Sequence, residues 1–250
     1  MSTPLTDGIN ALTAYANEAT GASDTNLSDA VETLVAGYGS GSGTDYLPMF
    51  LNDTLTEYSS DEITELPTSA FQSKSIQRIT LPNITKLPNY AFRYSKLTGI
   101  YVDDFPKLAV SSGWGFQGCT DLAFAVFKAC DNIQTNSFSN CTSLTILDIG
   151  NPTLSGYSLQ NNSLNGASVL NKIILRFKTV IRIQALSAFT GTPFSSNGAG
   201  GTIYVPQSLI SAYREDSSWS TVLGYNANNQ ILSIEGSIYE TQYADGTLIA

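Results

Sequence analysis

Histidine is absent from the chain. Its absence removes the commonest general base and the commonest nitrogen ligand for zinc. Charge is scarce as well: Asp, Glu, Lys and Arg make up 13% of 250 residues, and Asn, Ser, Thr and Gly carry the surface instead. Bases are scarcer than acids, and the balance is 12 − 21 = −9. Between Met1 and Ser73 stand eleven acids and no base; Lys74 is the first. A nucleic-acid partner is therefore not expected, because a basic stripe supplies most of such affinity. No apolar run reaches the length of a membrane span. The opening MSTPLTDGIN has neither a charged n-region nor an apolar h-region, so no export signal is expected there. Three cysteines remain. Cys119 and Cys141 lie 22 residues apart in similar contexts, GCTDL and NCTSL. Side chains one repeat apart should point the same way from neighbouring coils, about 4.8 Å apart. Packed free thiols are the expectation, although distance alone leaves a bridge open. Cys130 is off that register and should pack too.

What the chain does have is repetition. EITELP begins at Glu62 and NITKLP at Asn83, 21 residues later. TSAF ends at Phe71, NYAF at Phe92, WGF at Phe116, NSF at Phe138 and SAF at Phe189. GYSL, ending at Leu159, reads as a degenerate copy of the same step. A polar turn and a strand follow each aromatic: IQRITL from Ile76, LTGIYV from Leu97, LAFAVF from Leu122, LTILDI from Leu144 and LNKIIL from Leu170. TIYV from Thr202 ends the series, and LTEY from Leu55 begins it. The strand starts are 21, 25, 22 and 26 residues apart, a variation that loops absorb. This predicts a β-rich (α+β) solenoid over residues 45–235, with YLPMFL closing its first coil. Terminal coils need such closure because their edges and core are otherwise open. At the far end, SLISAYREDSSW predicts a helical cap with Ser208 as N-cap and Leu209, Ala212 and Tyr213 at helical spacing. Residues 236–250 form a tail, and its Asp245-Gly246 pair suggests a hairpin.

Residues 1–38 differ. Leu5, Ile9, Leu12 and Tyr15 share one helical face, and Leu27, Val31, Leu34 and Val35 share another. A small helical hairpin is expected, tethered by the Gly/Ser linker of residues 39–44. It has no core of its own and should dock or oligomerise. Ile9, Leu12, Tyr15, Val31, Leu34 and Val35 are its candidate assembly residues.

The pieces SAFQSKSIQRITLPN, YAFRYSKLTGI, FQGCTDL and FSNCTSL resemble the BspA-like leucine-rich repeats of bacterial surface proteins. The ending TIYVPQSLISAYREDSSWS is similar to the segment that closes such arrays. The resemblance implies a leucine-rich-repeat-like right-handed coil. INALTAYANEATGASDTNLSDAVETLVAGYG resembles the N-terminal segment of small structural proteins of phages and prophages of Gram-positive bacteria. That second resemblance implies a virion component, extracellular after lysis, attached by its helices to other virion proteins and probing a host-surface protein or glycan. The alternative is a bacterial cell-surface adhesin.

Candidate chemistry is thin. Asp61-Glu62 and Asp103-Asp104 are adjacent carboxylate pairs, but neighbours on a strand or turn point apart, so no catalytic role is assigned. Asp103, Asp104 and Asp131 lack the spacing of a calcium loop. Neither an enzyme, a metal nor a cofactor is expected. The sheet face says more. Positions 1, 4 and 6 of each strand should point inward, and positions 3 and 5 outward. Tyr101, Phe124, Val126, Ile146 and Ile174 then form an outward apolar stripe, the kind of patch that marks a contact surface or is covered by a loop. Lys172, Arg176, Lys178 and Arg182 form the one dense basic cluster, which could meet an acidic module or an anionic glycan. A homo-oligomer is expected.

Overall fold

The computed structural model describes residues 54–111, 113–194, 200–223 and 230–249. The chain divides into two units, Met1–Leu55 and Thr56–Ala250, and only the second is described in any length. The helical hairpin, its tether and the six assembly residues Ile9, Leu12, Tyr15, Val31, Leu34 and Val35 lie outside the described residues.

The second unit is a stack of coils whose short strands pair in parallel. β1 (Glu57–Ser59) pairs with β2 (Arg78–Thr80). A five-stranded sheet runs through β4 (Phe124–Phe127), β6 (Ile146–Ile149), β8 (Lys172–Leu175), β10 (Thr202–Val205) and β11 (Ile231–Ser233). A second sheet is made by β3 (Val110–Ser111), β5 (Asn132–Ile133), β7 (Ser158–Leu159) and β9 (Arg182–Ile183). Ile100 joins the first sheet through a parallel bridge to Ala125. Register follows the repeat: Phe124 lies beside Ile146 and Ile146 beside Lys172.

The alternation in the sequence is what the core demands. Positions 1, 4 and 6 of the strands, such as Leu97, Ile100 and Val102 or Leu144, Leu147 and Ile149, are all buried. The aromatic step supplies the other half of each coil's filling. Phe71, Phe92, Phe116 and Phe138 stack in a file, with ring centroids 5.1, 5.4 and 5.1 Å apart and planes within 12° of parallel. The coil repeat sets that spacing, and it falls in the range that offset aromatic pairs prefer.

The turn holding each phenylalanine makes a third set of bonds between coils. The N–H of Phe71 donates to the Ala91 carbonyl at 2.7 Å, Phe92 to Gly115 at 2.8 Å, Phe116 to Ser137 at 2.8 Å and Phe138 to Ser163 at 2.8 Å. In five successive coils two residues four apart stand in left-handed conformation around the ring or the residue in its place: Ser69 and Ser73, Tyr90 and Tyr94, Trp114 and Gly118, Asn136 and Asn140, Asn162 and Gly166. Such a conformation costs roughly 1–2 kcal/mol for an ordinary residue and little for glycine or asparagine.

That pattern corrects one alignment. The coil after Phe138 places Leu164, not Leu159, in the aromatic's position: Leu164 sits between Asn162 and Gly166, and its N–H donates to Ala188 at 3.0 Å. Ser158–Leu159 is strand β7 of the second sheet. The aromatic has become leucine, so the degenerate copy is NSLNG and not GYSL.

Two helices follow β10: α1 (Ile210–Glu215) and α2 (Ser217–Leu223). Ser208 is not an N-cap, because a 3-10 turn over Gln207–Leu209 precedes α1 and its N-cap position, Leu209, offers no side-chain bond. Asp216 does that work for α2, with Oδ1 accepting from the Ser218 and Trp219 N–H groups at 2.9 and 3.2 Å. Both helices hold the backbone of Ile181, next to β9. Its N–H donates to the Tyr213 hydroxyl at 3.2 Å, and its carbonyl accepts from Trp219 Nε1 at 2.9 Å. Tyr213 and Trp219 are fully buried.

Replacing Phe116, the middle ring of the file, by alanine is expected to cost about 3–5 kcal/mol, measured by urea denaturation. A cost below about 1 kcal/mol would mean that the file is not part of the core.

Candidate functional site

The outward side of the five-stranded sheet is the surface the stripe predicts. Parallel pairing sets Val126 beside Asp148, Asp148 beside Ile174, Ile174 beside Tyr204 and Tyr204 beside Leu232. Val126 and Ile174 are buried, whereas Tyr101, Phe124 and Ile146 are half-buried. What covers the middle of the stripe is the chain's own segment 234–249. Ile234 and Tyr239 pack on Ile174, with Ile146, Tyr204 and Ala244 around them. Toward the first coils the stripe continues as a stack. The Arg78 guanidinium lies 3.9 Å from the Tyr101 ring centre, and Tyr101 meets Phe124 edge-on at 4.8 Å. Phe124 fits because it lies over Gly99, where a Cβ would stand 2.5 Å from the ring.

The covering segment is pinned by charge. Asp148 and Arg176 form a buried two-pronged pair, Nε to Oδ1 at 2.6 Å and Nη2 to Oδ2 at 2.8 Å. Arg176 also donates to the segment, to the Tyr239 carbonyl at 2.7 Å and the Gln242 carbonyl at 2.9 Å. Asp148 accepts the Ala244 N–H at 2.9 Å. Asp245 then accepts the Val102 N–H at 2.8 Å. The segment thus runs back across the coils of β10, β8 and β6 to the coil of Val102. It closes as a tight turn, in which the Tyr243 N–H donates to the Thr247 carbonyl at 2.8 Å and Gln242 bridges Leu248 antiparallel. Burial raises the Asp148 carboxyl above the usual carboxylate range, and the Arg176 and Ala244 donors oppose that rise.

The four residues of the basic cluster are therefore dispersed. Arg176 is an interior residue, and its charge is met by Asp148. Lys172 is exposed on the first sheet, Arg182 is exposed on the second, and Lys178 is exposed between them. Asp103 and Asp104 point apart: Asp103 pairs with Lys128 at 3.1 Å in solvent. Asp104 is buried and accepts from the Thr80 hydroxyl and the Tyr101 N–H, both at 2.8 Å. Among the described residues no three Cys, Asp or Glu gather as a metal site would need.

The three cysteines are free and buried. Cys119 Sγ donates to the Phe92 carbonyl at 3.0 Å and Cys141 Sγ to the Phe116 carbonyl at 3.1 Å, so each thiol bonds one coil back. Burial pushes the Cys119 thiol up to about 12 and the Cys130 thiol to about 11.

Residues 64–195 match the BspA type leucine rich repeat region, in six copies. The chain belongs to that family of repeat proteins. Repeats of this type are interaction modules, commonly on bacterial surface proteins and typically without enzymatic activity. No curated protein and no solved structure matched the chain. Among the described residues no helix is long and apolar enough to cross a membrane.

Sequence reasoning missed the Asp148–Arg176 pair. The available signal was an acid at a fifth position that carries no charge in the other strands (Thr80, Tyr101, Val126 and Ile174), with an arginine just past the next strand.

Two outcomes test this region. Arg176→Ala should cost about 3–5 kcal/mol by urea denaturation, because it leaves a buried carboxylate unpaired, whereas Arg176→Met combined with Asp148→Leu should cost less, its loss being the partners of the Tyr239 and Gln242 carbonyls and of the Ala244 N–H. A thiol reagent at pH 8 should label no cysteine in the folded chain and all three after denaturation, since the thiolate is the reactive form. Rapid labelling of folded protein would contradict the placement of Cys119 and Cys141.

Proposed function

We propose that the chain is a non-enzymatic binding module of the bacterial surface-adhesin kind, a right-handed leucine-rich-repeat solenoid that meets its partner with the surface of its stacked coils. The observation that carries this reading is the run of six family repeats over residues 64–195. The fate of the interior polar groups supports it. Asp104, Asp148, Arg176 and the thiols of Cys119 and Cys141 are all engaged in bonds that hold coils together. In this reading α1 and α2 are the cap of the last coils, and Tyr101 and Phe124, half-exposed at the open end of the stripe, belong to the contact surface. Lys172, Lys178 and Arg182 contribute at most a diffuse positive field.

A virion role is the second reading, and it rests on the likeness of residues 9–39 to phage structural proteins. The two readings differ in the company the gene keeps: neighbouring tail or capsid genes favour the virion, and export machinery favours the adhesin. Both expect the N-terminal segment to assemble copies. Light scattering should give an oligomer for the full chain and a monomer for a chain begun at Asp45; two monomers would remove the assembly role.

The adhesin reading is tested with labelled full chain on epithelial cell monolayers and on immobilised extracellular-matrix protein. Saturable binding is expected, weakened several-fold by Tyr101→Ala with Phe124→Ala. The absence of saturable binding on both surfaces would overturn it.

A further inference from the structure

The turns that carry the phenylalanine file present a second surface, away from the stripe. Their left-handed positions hold Ser, Asn or Gly in most coils, which tolerate or suit that conformation. Two successive coils break the rule. Tyr90, Tyr94 and Trp114 sit there with φ of 61°, 59° and 57°, a conformation that bulky residues adopt only when something compensates the strain. The three rings gather on one ledge. Tyr90 and Trp114 have centroids 5.4 Å apart. The Arg93 guanidinium lies 5.3 Å from the Tyr90 centre and 4.6 Å from that of Tyr94, and donates to the Tyr94 hydroxyl at 3.0 Å. Gly118 leaves room for Tyr94, because a Cβ there would stand 2.2 Å from its ring. Tyr94 is 48% exposed, and Tyr90 and Trp114 are half-buried.

A second observation comes from the polar groups between the rings. Arg93 and Gln117 occupy equivalent places in successive coils, since the N–H groups following them donate to the next coil in the same way. Arg93 Nε and Gln117 Oε1 are shielded from water and have no hydrogen-bond partner. Such groups are costly to leave unmet. One is a donor and the other an acceptor, and a hydroxyl, which both accepts and donates, suits either. Both side chains remain half-exposed at the surface, so their terminal groups stay within reach of an incoming ligand.

We propose that Tyr90, Tyr94, Trp114, Arg93 and Gln117 form a binding site for a carbohydrate, which stacks the C–H face of a sugar ring on the aromatics and sets its hydroxyls against Arg93 and Gln117. The weakly positive C–H bonds of a pyranose face suit the negative face of an aromatic ring. The site deepens the adhesin reading, on which it rests, by naming the class of ligand.

The full chain is applied to a printed array of bacterial and mammalian oligosaccharides, and the strongest binder is titrated by calorimetry and by tryptophan emission. The chain has two tryptophans. Trp219 is fully buried, so a shift in emission on binding reports Trp114. Trp114→Asn and Tyr94→Asn install a residue that later coils carry at these positions, at Asn136 and Asn140. Each should weaken oligosaccharide binding at least tenfold without lowering the melting temperature, and Tyr157→Ser, an exposed tyrosine elsewhere, should leave binding unchanged. An empty array overturns the site, as does binding that survives both substitutions. A melting temperature lowered by both would make the aromatics structural and overturn it as well. If cell binding persists in both variants while the array is empty, the adhesin reading stands and the carbohydrate site falls. Loss of matrix-protein binding in both, with no sugar bound, gives the ledge to a protein partner instead.

Discussion

Every coil leaves backbone donors and acceptors that only the next coil can meet. That constraint governs the rest of the structure. It is met by parallel bonds in the two-stranded, five-stranded and four-stranded sheets and in the turns around the phenylalanine file. Once backbone register is fixed in this way, equivalent side chains must lie over one another. The ring file and the thiols bonded one coil back follow from that stacking. So does the alignment of Val126, Asp148 and Ile174 on one face. A repeat array of this kind gains its stability from neighbouring contacts. Segment 234–249 adds something a plain array lacks, because it ties the coil of Val205 to that of Val102 through Arg176, Asp148 and Asp245.

The strands were legible because their pattern is local. Alternation within LTILDI or LNKIIL states which residues face inward, and Leu144, Leu147 and Ile149 lie there. The degenerate coil is hard to place from sequence because it has lost its aromatic. Asn162 and Gly166 keep the flanking left-handed positions while the ring itself becomes Leu164. Backbone conformation is the more faithful marker, since the left-handed pair persists in the five coils from Ser69 to Gly166 whereas the ring only fills space.

The sheet-face surface was harder to read for a different reason. The stripe is a property of the strands, but its cover comes from residues some sixty to one hundred positions further on, and no local pattern joins them. Arg176 illustrates the point. It stands among Lys172, Lys178 and Arg182 in sequence, yet it is buried against Asp148, 28 residues away, and holds two carbonyls of the covering segment. Runs of charge in a repeat protein mix residues from different faces, because a coil turns through both sheets within one period. The aromatic ledge was hidden in the same way: Tyr90 and Trp114 are far apart in the chain and adjacent across a coil boundary.

Coupling of the coils into one unit is the claim on which the structural account stands. Native-state hydrogen exchange at the N–H groups of Phe92, Phe116, Phe138 and Leu164 tests it directly, because each donates from one coil to the next. If backbone register and the returning segment tie the coils together, these four amides should exchange with one common opening free energy equal to that of global unfolding. A gradient of opening energies along the array, with coils releasing one after another, would contradict the account.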